Sequence, residues 1–132
     1  KMVRGEPIQI YNRGDMYRDF TYIDDIVMGV ADVMGRIPNE TKDGVRYKIY
    51  NIGNSHPEPL GYFVETLERV LMEEGVIDKP TEHELLPMQP GDVYQTYADV
   101  SDLERDFDFK PSTPLEEGLR QFARWYKGYY GL

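Results

Sequence analysis

Arg18 and Asp19 are the residues of this sequence whose types and placing most suggest chemistry. They stand together between a polar loop, residues 12–17, and an aromatic run, residues 20–23. An arginine fixed at such a place can hold an anion through paired N–H donors. The same pair can equally be a structural ion pair, and spacing leaves both readings open. Asp92, in the turn Gln89-Pro90-Gly91-Asp92, has a similar double character. It can serve the turn itself or accept hydrogen bonds from ligand hydroxyls. Tyr11, at the end of a short apolar run, reads as strand packing.

Other chemistries are poorly served. Asp15, Asp19, Asp24 and Asp25 lack the alternate spacing, central glycine and terminal glutamate of a calcium loop, so helix capping is the reading for Asp24 and Asp25. His56 and His83 stand far apart, beside turn and strand-edge residues, and read as surface residues. No two glycines stand two positions apart, which excludes a GxGxxG turn. No tyrosine is followed four residues on by lysine, and no GxSxG elbow occurs.

The elements that must position these residues follow from periodicity. Residues 8–11 read as a strand and 25–36 as a helix capped by Asp24, with Ile26, Val27, Val30, Ala31 and Met34 as its apolar stripe. Gly29 and Gly35 weaken that helix and Pro38 stops it. Residues 47–52 (YKIYNI) read as a second strand. A helix over 60–74 buries Leu60, Phe63, Val64, Leu67, Val70 and Leu71 and ends at Gly75. Residues 84–87 read as a short strand and 96–98 as an extended piece. Ser101 with Glu104, and Thr113 with Glu116, fit capping boxes opening two further helices. The last helix is expected to bury Leu119, Phe122, Ala123, Trp125 or Tyr126, and Tyr129. The expectation is a small mixed α/β (α+β) chain with three or four short strands and four helices.

With 132 residues the chain can bury one real core. Eleven tyrosines suit half-buried surfaces where a ring packs and a hydroxyl meets water or ligand. A net charge of −9 argues against nucleic acid or an anionic membrane as the main partner. The absence of cysteine excludes a disulfide framework and fits a cytoplasmic protein. No apolar run approaches membrane-spanning length, and no signal peptide opens the chain. Residues 1–5 read as the tail of a helix, so the chain reads as a piece that begins inside a longer protein.

The segments IYNRGDMYRDFTYIDDI, YNIGNS, LPMQPGDVYQTYADVSDLERDFDFKPSTPLEEGL and FARWYKGYY together resemble the C-terminal part of UDP-glucuronate 4-epimerases. These are extended short-chain dehydrogenase/reductase nucleotide-sugar epimerases. The RDFTYIDDI block is shared across related epimerases, decarboxylases and dehydratases. The MQPGDV and TYAD block favours the glucuronate branch.

The resemblance implies that residues 1–132 are a single UDP-sugar-binding C-terminal domain whose partner is its own N-terminal Rossmann domain. That domain would bind NAD, carry the catalytic groups and form the parent homodimer. NAD would take a hydride from C4 of the sugar and return it to the opposite face, in polysaccharide biosynthesis. Catalytic residues are therefore expected to be absent from this chain, and the chain alone to be inactive.

Residue by residue, Arg18 matches the arginine on the diphosphate. The backbone at Gln9 and Tyr11 matches the strand beside uracil. Asp92 matches the acid near the ribose, and Thr96 falls near a position facing the sugar. Gln89 stands where related galactose epimerases carry a second phosphate-binding arginine, so it offers a hydrogen bond without charge. The resemblance also implies an exposed apolar face where the Rossmann half would pack. The rival readings are a UDP-glucuronate decarboxylase or a sugar-nucleotide 4,6-dehydratase fragment, or a non-catalytic nucleotide- or protein-binding domain.

Overall fold

The computed structural model describes residues 1–132. In chain order the elements are β1 (Ile8–Ile10), β2 (Tyr17–Arg18), α1 (Ile23–Met34), β3 (Glu58–Pro59), α2 (Leu60–Glu73), β4 (His83–Leu85), α3 (Ser101–Phe107) and α4 (Leu115–Tyr130). Four helices and short strands make this the small mixed α/β chain that the periodicity implies. No helix is long and apolar enough to cross a membrane. The chain divides into two compact units. The first comprises Lys1–Arg18, Pro57–Thr96 and Pro114–Leu132; the second comprises Asp19–His56 and Tyr97–Thr113.

In the first unit α2 packs on α4. Val70, Leu71, Val76, Ile77 and Ala123 form its buried cluster, with Met2, Leu67, Met72 and Tyr126 packed around it. A charged seam runs along the same helix pair. Arg69 pairs with Glu116 through both terminal nitrogens, at 3.1 and 2.9 Å. Arg120 reaches Glu73 at 2.7 Å, Glu116 at 3.0 Å and Glu74 at 3.2 Å. Lys127 Nζ donates to the Glu74 carbonyl at 2.7 Å, placing a cation at the C-terminus of α2, where the helix dipole favours it. Gly75 follows with φ +65, the left-handed conformation expected after a helix end.

β4 lies parallel to β1, with Gln9 opposite Glu84. β2 runs antiparallel to β3, with Arg18 opposite Glu58. β1 stops one residue earlier than expected, because Tyr11 opens a tight turn. Asn12, Arg13 and Gly14 all take positive φ there, which no strand can follow. β4 begins one residue earlier than expected and ends at Leu85, its register set by β1.

Two features of α4 differ from expectation. Pro114 holds its N-cap position and no side chain caps it. Thr113 instead donates its N–H to Asp25 at 3.0 Å, within the second unit. Of the expected buried residues only Leu119 and Ala123 are fully covered, with Tyr126 half-buried; Phe122, Trp125 and Tyr129 are exposed. Those rings contact one another along the helix surface, with Trp125 stacked on Tyr129 at 5.4 Å.

In the second unit Val100, Leu103 and Pro111 are buried. α1 spans Ile23–Met34 with Tyr22 at its N-cap, so Asp24 is not the cap. The inward face of α1 carries Asp25 and Gly29. A Cβ on Gly29 would lie 3.0 Å from Phe109 Cε1 and 3.2 Å from Ile52 Cδ1, so this glycine serves close packing. The apolar stripe expected to face a core is largely turned outward: Val27, Val30 and Met34 are exposed, Met34 at 83%.

Residues 47–52 form no strand. The alternation is present, with Tyr47 and Ile49 exposed and Lys48 and Tyr50 half-buried, but no neighbouring strand of the unit completes a ladder. Lys48 and Tyr50 instead reach Asp106 of α3, Tyr50 at 2.8 Å. α3 also lacks the expected capping box. Val100 occupies its N-cap, and Asp99 Oδ1 accepts the Ser101 N–H at 3.0 Å. A hydrogen bond from the Ser101 side chain, together with this backbone bond, holds the Asp99 carboxyl below its ordinary range.

Candidate functional site

The six expected site residues all lie in the first unit, in two groups. The first is on β1. Gln9 Nε2 donates to Glu84 Oε2 at 3.0 Å, and the Tyr11 hydroxyl donates to Gln9 Oε1 at 3.5 Å. Glu84 is a member that sequence reasoning missed. It lies 75 positions from Gln9, and only the β1–β4 register brings the two together.

The second group surrounds Arg18. Its Nη2 donates to Asp92 Oδ1 at 2.9 Å. Its Nη1 donates to the Tyr17 carbonyl at 2.8 Å and the Tyr94 carbonyl at 3.3 Å. Nη2 also lies 3.5 Å from the buried Met16 sulfur. The side chains of Arg18 and Asp92 are 21% and 27% exposed, so the pair is neither sealed off nor freely hydrated.

The loop carrying Asp92 is built by local bonds. The Asp92 N–H donates to the Gln89 carbonyl at 3.1 Å, closing the Pro-Gly turn, and Asp92 Oδ1 accepts the Val93 N–H at 2.9 Å. Tyr17 anchors the loop to β2: its N–H donates to the Tyr94 carbonyl at 2.9 Å, and its carbonyl accepts the Thr96 N–H at 3.2 Å. Thus Arg18, Gln89, Asp92 and Thr96 belong to one bonded neighbourhood. Gln89 and Thr96 enter that neighbourhood through their backbones.

Tyr94 and Asp15 complete it. The Tyr94 hydroxyl donates to Asp15 Oδ1 at 3.0 Å, and this bond together with burial raises the phenol above its ordinary pKa. Sequence reading weighs Asp15 only within the acidic cluster and does not single out Tyr94, because 79 positions apart the two carry no shared spacing signal.

The remaining polar residues of the RDFTYIDDI block act as fasteners within the second unit. Asp19 accepts the backbone N–H groups of Ser55 at 3.1 Å and His56 at 3.4 Å. Thr21 Oγ1 accepts the Asn54 N–H at 3.1 Å. Buried Asp25 accepts those of Ser112 and Thr113. Backbone donors thus take up two of the four clustered aspartates, and no group of three or more His, Asp or Glu is arranged to hold a metal ion. His83, expected at the surface, is exposed but paired: its Nε2 lies 3.0 Å from Oε1 of buried Glu68.

No protein-family model matches the chain. Among curated proteins it is 40% identical over 140 residues to Protein CapI of Staphylococcus aureus, covering 98% of this chain and 40% of that protein. It is 39% identical over 140 residues to UDP-glucuronate 4-epimerase 6 of Arabidopsis thaliana, covering 99% of this chain and 29% of that protein. Among solved structures it superposes on a UDP-glucuronic acid 4-epimerase from Bacillus cereus in complex with UDP-glucuronic acid and NAD. The TM-score is 0.76 at 28% identity, over 98% of this chain and 38% of that one. The chain therefore spans two fifths or less of the length of these relatives.

Proposed function

As a member of the UDP-glucuronate 4-epimerase-like, extended short-chain dehydrogenase/reductase family, this chain, we propose, supplies the part of such an enzyme that grips a UDP-sugar. In this reading Arg18 holds the diphosphate and Asp92 accepts hydrogen bonds from the ribose. β1, with Gln9, and the turn that Tyr11 opens lie beside the uracil, Gln89 adds an uncharged donor near the phosphates, and Thr96 borders the sugar. The observation that carries the reading is the Arg18–Asp92 contact at 2.9 Å. It joins two of the six residues that the resemblance singles out, 74 positions apart, in one partly exposed neighbourhood.

NAD is bound in the solved Bacillus cereus relative. The residues of this chain do not fit it, because they include no glycine-rich dinucleotide turn. The chain's proposed role is confined to binding and orienting the UDP-sugar. Alone it would turn nothing over, since orientation without a reacting group gives no reaction. The cofactor, the base and the remaining walls of the site would come from an N-terminal Rossmann domain. The outward stripe of α1 and the exposed Tyr47 and Ile49 are surfaces suited to such a partner. The parent would be a cytoplasmic homodimer inverting C4 of UDP-glucuronate.

The test compares ligands on the full-length protein. Arg18→Ala should weaken UDP-glucuronate binding at least tenfold, in line with the loss of a charge-assisted bond, and leave uridine nearly unaffected. Equal losses for both ligands would remove the diphosphate assignment.

A further inference from the structure

α4 carries two apolar rows. The inner row is Leu119, Ala123 and Tyr126. Leu119 and Ala123 are buried, and Ala123 and Tyr126 join the cluster around Val70 and Leu71 of α2. The outer row is Leu115, Gly118, Phe122, Trp125 and Tyr129, with successive spacings of 3, 4, 3 and 4. That alternation is the pattern of a helix that packs lengthwise on another helix. Yet Phe122, Trp125 and Tyr129 are 42%, 56% and 70% exposed. A groove of about 270 Å³, lined by Met2, Ile8, Leu67 and Phe122 among others, continues the apolar surface beside the row.

The outer row is self-complementary in one antiparallel register. When Phe122 of one copy lies across from Trp125 of another, Gly118 falls across from Tyr129 of that other copy. Two-fold symmetry repeats both pairs. Aromatic rings then meet at the centre, and each outer ring meets a residue with no side chain. A glycine inside a helix is otherwise unfavourable. The row is flanked on its solvent side by exposed Gln121 and Gly128, so no like charges meet there. The acidic first turn of one copy, Glu116 and Glu117, comes to the same end as the basic last turn of the other, with Lys127, and the helix dipoles oppose. We propose that α4 is a self-association surface, paired antiparallel with α4 of a second copy. Two α2–α4 pairs then form a four-helix bundle. The exposed parts of the three rings amount to roughly 700 Å² for the two copies together, below the standard interface size. The dimer is therefore weak and reversible, forming at tens to hundreds of micromolar. The pairing does not depend on the sugar-nucleotide reading.

Trp125 is the sole tryptophan, so its emission reports on this surface directly. The emission of the 132-residue chain should shift to the blue as concentration rises, in step with dimer formation by sedimentation equilibrium. Trp125→Asp should weaken association at least tenfold, as loss of a central aromatic anchor does, with helicity by circular dichroism unchanged. Gly118→Leu should also weaken association about tenfold, although leucine favours the helix. The chain has no cysteine, so introduced ones read the orientation. Gln121→Cys combined with Gly128→Cys should give a disulfide-linked dimer on mild oxidation, and either single variant should give little. A chain that stays monomeric at about 1 mM overturns the proposal. So does a dimer indifferent to Gly118→Leu, or one that the single cysteines link as well as the pair. In the full-length protein the double variant should cross-link too; failure there assigns the row to a further domain and overturns the self-pairing.

Discussion

Asp25 Oδ2 accepts the backbone N–H of Thr113 at 3.0 Å, across 88 positions of sequence. The same oxygen accepts the Ser112 N–H at 3.3 Å. A carboxylate in the first turn of α1 thereby fastens the segment that follows α3. Asp25 is buried, so its removal strands backbone donors where water cannot fully replace it. Asp25→Ala should destabilise the chain by about 1–3 kcal/mol. Asp25→Asn, which keeps an acceptor, should cost less. Urea unfolding followed by circular dichroism measures both; an alanine variant as stable as wild type would show that the bonds contribute nothing.

Two glycines should respond to alanine in opposite directions. A Cβ on Gly53 would lie 2.8 Å from Ala98 Cβ and 3.0 Å from Asp19 Oδ2. Gly53→Ala must therefore displace the Asp19 carboxylate or the Ala98 backbone, and should lower the melting temperature. Gly61, in the first turn of α2, has open space around its Cβ position. Gly61→Ala should stabilise by up to about 1 kcal/mol through helix propensity and reduced freedom of the unfolded chain.

Acid should weaken the contact between residues 48–50 and α3. Asp106 bonds to Lys48, Arg105 and Tyr50, and these partners hold its carboxyl well below the usual aspartate range. A carboxyl depressed in the folded state contributes its stability above the unfolded pKa, about 4, and loses it as pH falls through the folded value. Wild type should therefore exceed Asp106→Asn in urea midpoint at pH 6, with the gap narrowing below pH 4. A gap that stays constant down to pH 2 would rule out the linkage.

The seam between α2 and α4 should show the same sign. Arg124 and Arg120 lower the Glu74 carboxyl, Arg120 and Arg69 lower that of Glu73, and Arg69 and Arg120 lower that of Glu116. Protonation should loosen the helix pair below about pH 4.5. Hydrogen exchange of α4 amides, measured from pH 6 down to 3, should show protection falling faster in wild type than in Arg120→Gln.

The outward stripe of α1 distinguishes the chain alone from its setting in a longer enzyme. Val30 is 46% exposed here. Val30→Asp should change the stability of this chain by less than about 0.5 kcal/mol, as exposed substitutions do. In the full-length protein the same change should lower the melting temperature by several degrees, if a further domain covers the stripe as proposed.

Local pattern alone delivered α2 and α4, the turn at Gln89–Asp92 and the left-handed Gly75, because each depends on residues within a few positions of one another. The RDFTYIDDI block was legible as something special, though its roles were not. Arg18 could be a structural partner or an anion grip from spacing, and its contact with Asp92 needed the folded loop. The capping boxes at Ser101 and Thr113 failed for a related reason. Asp99 and Asp25 took the N–H groups that open those segments, and the boxes lost to competing acceptors.

Composition, period and turn chemistry therefore determined which segments are helical, which are extended and that the chain is a small α/β protein. Tertiary structure decided which face of α1 is covered, that residues 47–52 form no ladder, and that Gln9 meets Glu84 while Arg18 meets Asp92. The physical reason is that a hydrogen bond or salt bridge is fixed by distance in space. Sequence records distance only along the chain, and a side chain's partner is whichever acceptor the packing brings within about 3 Å.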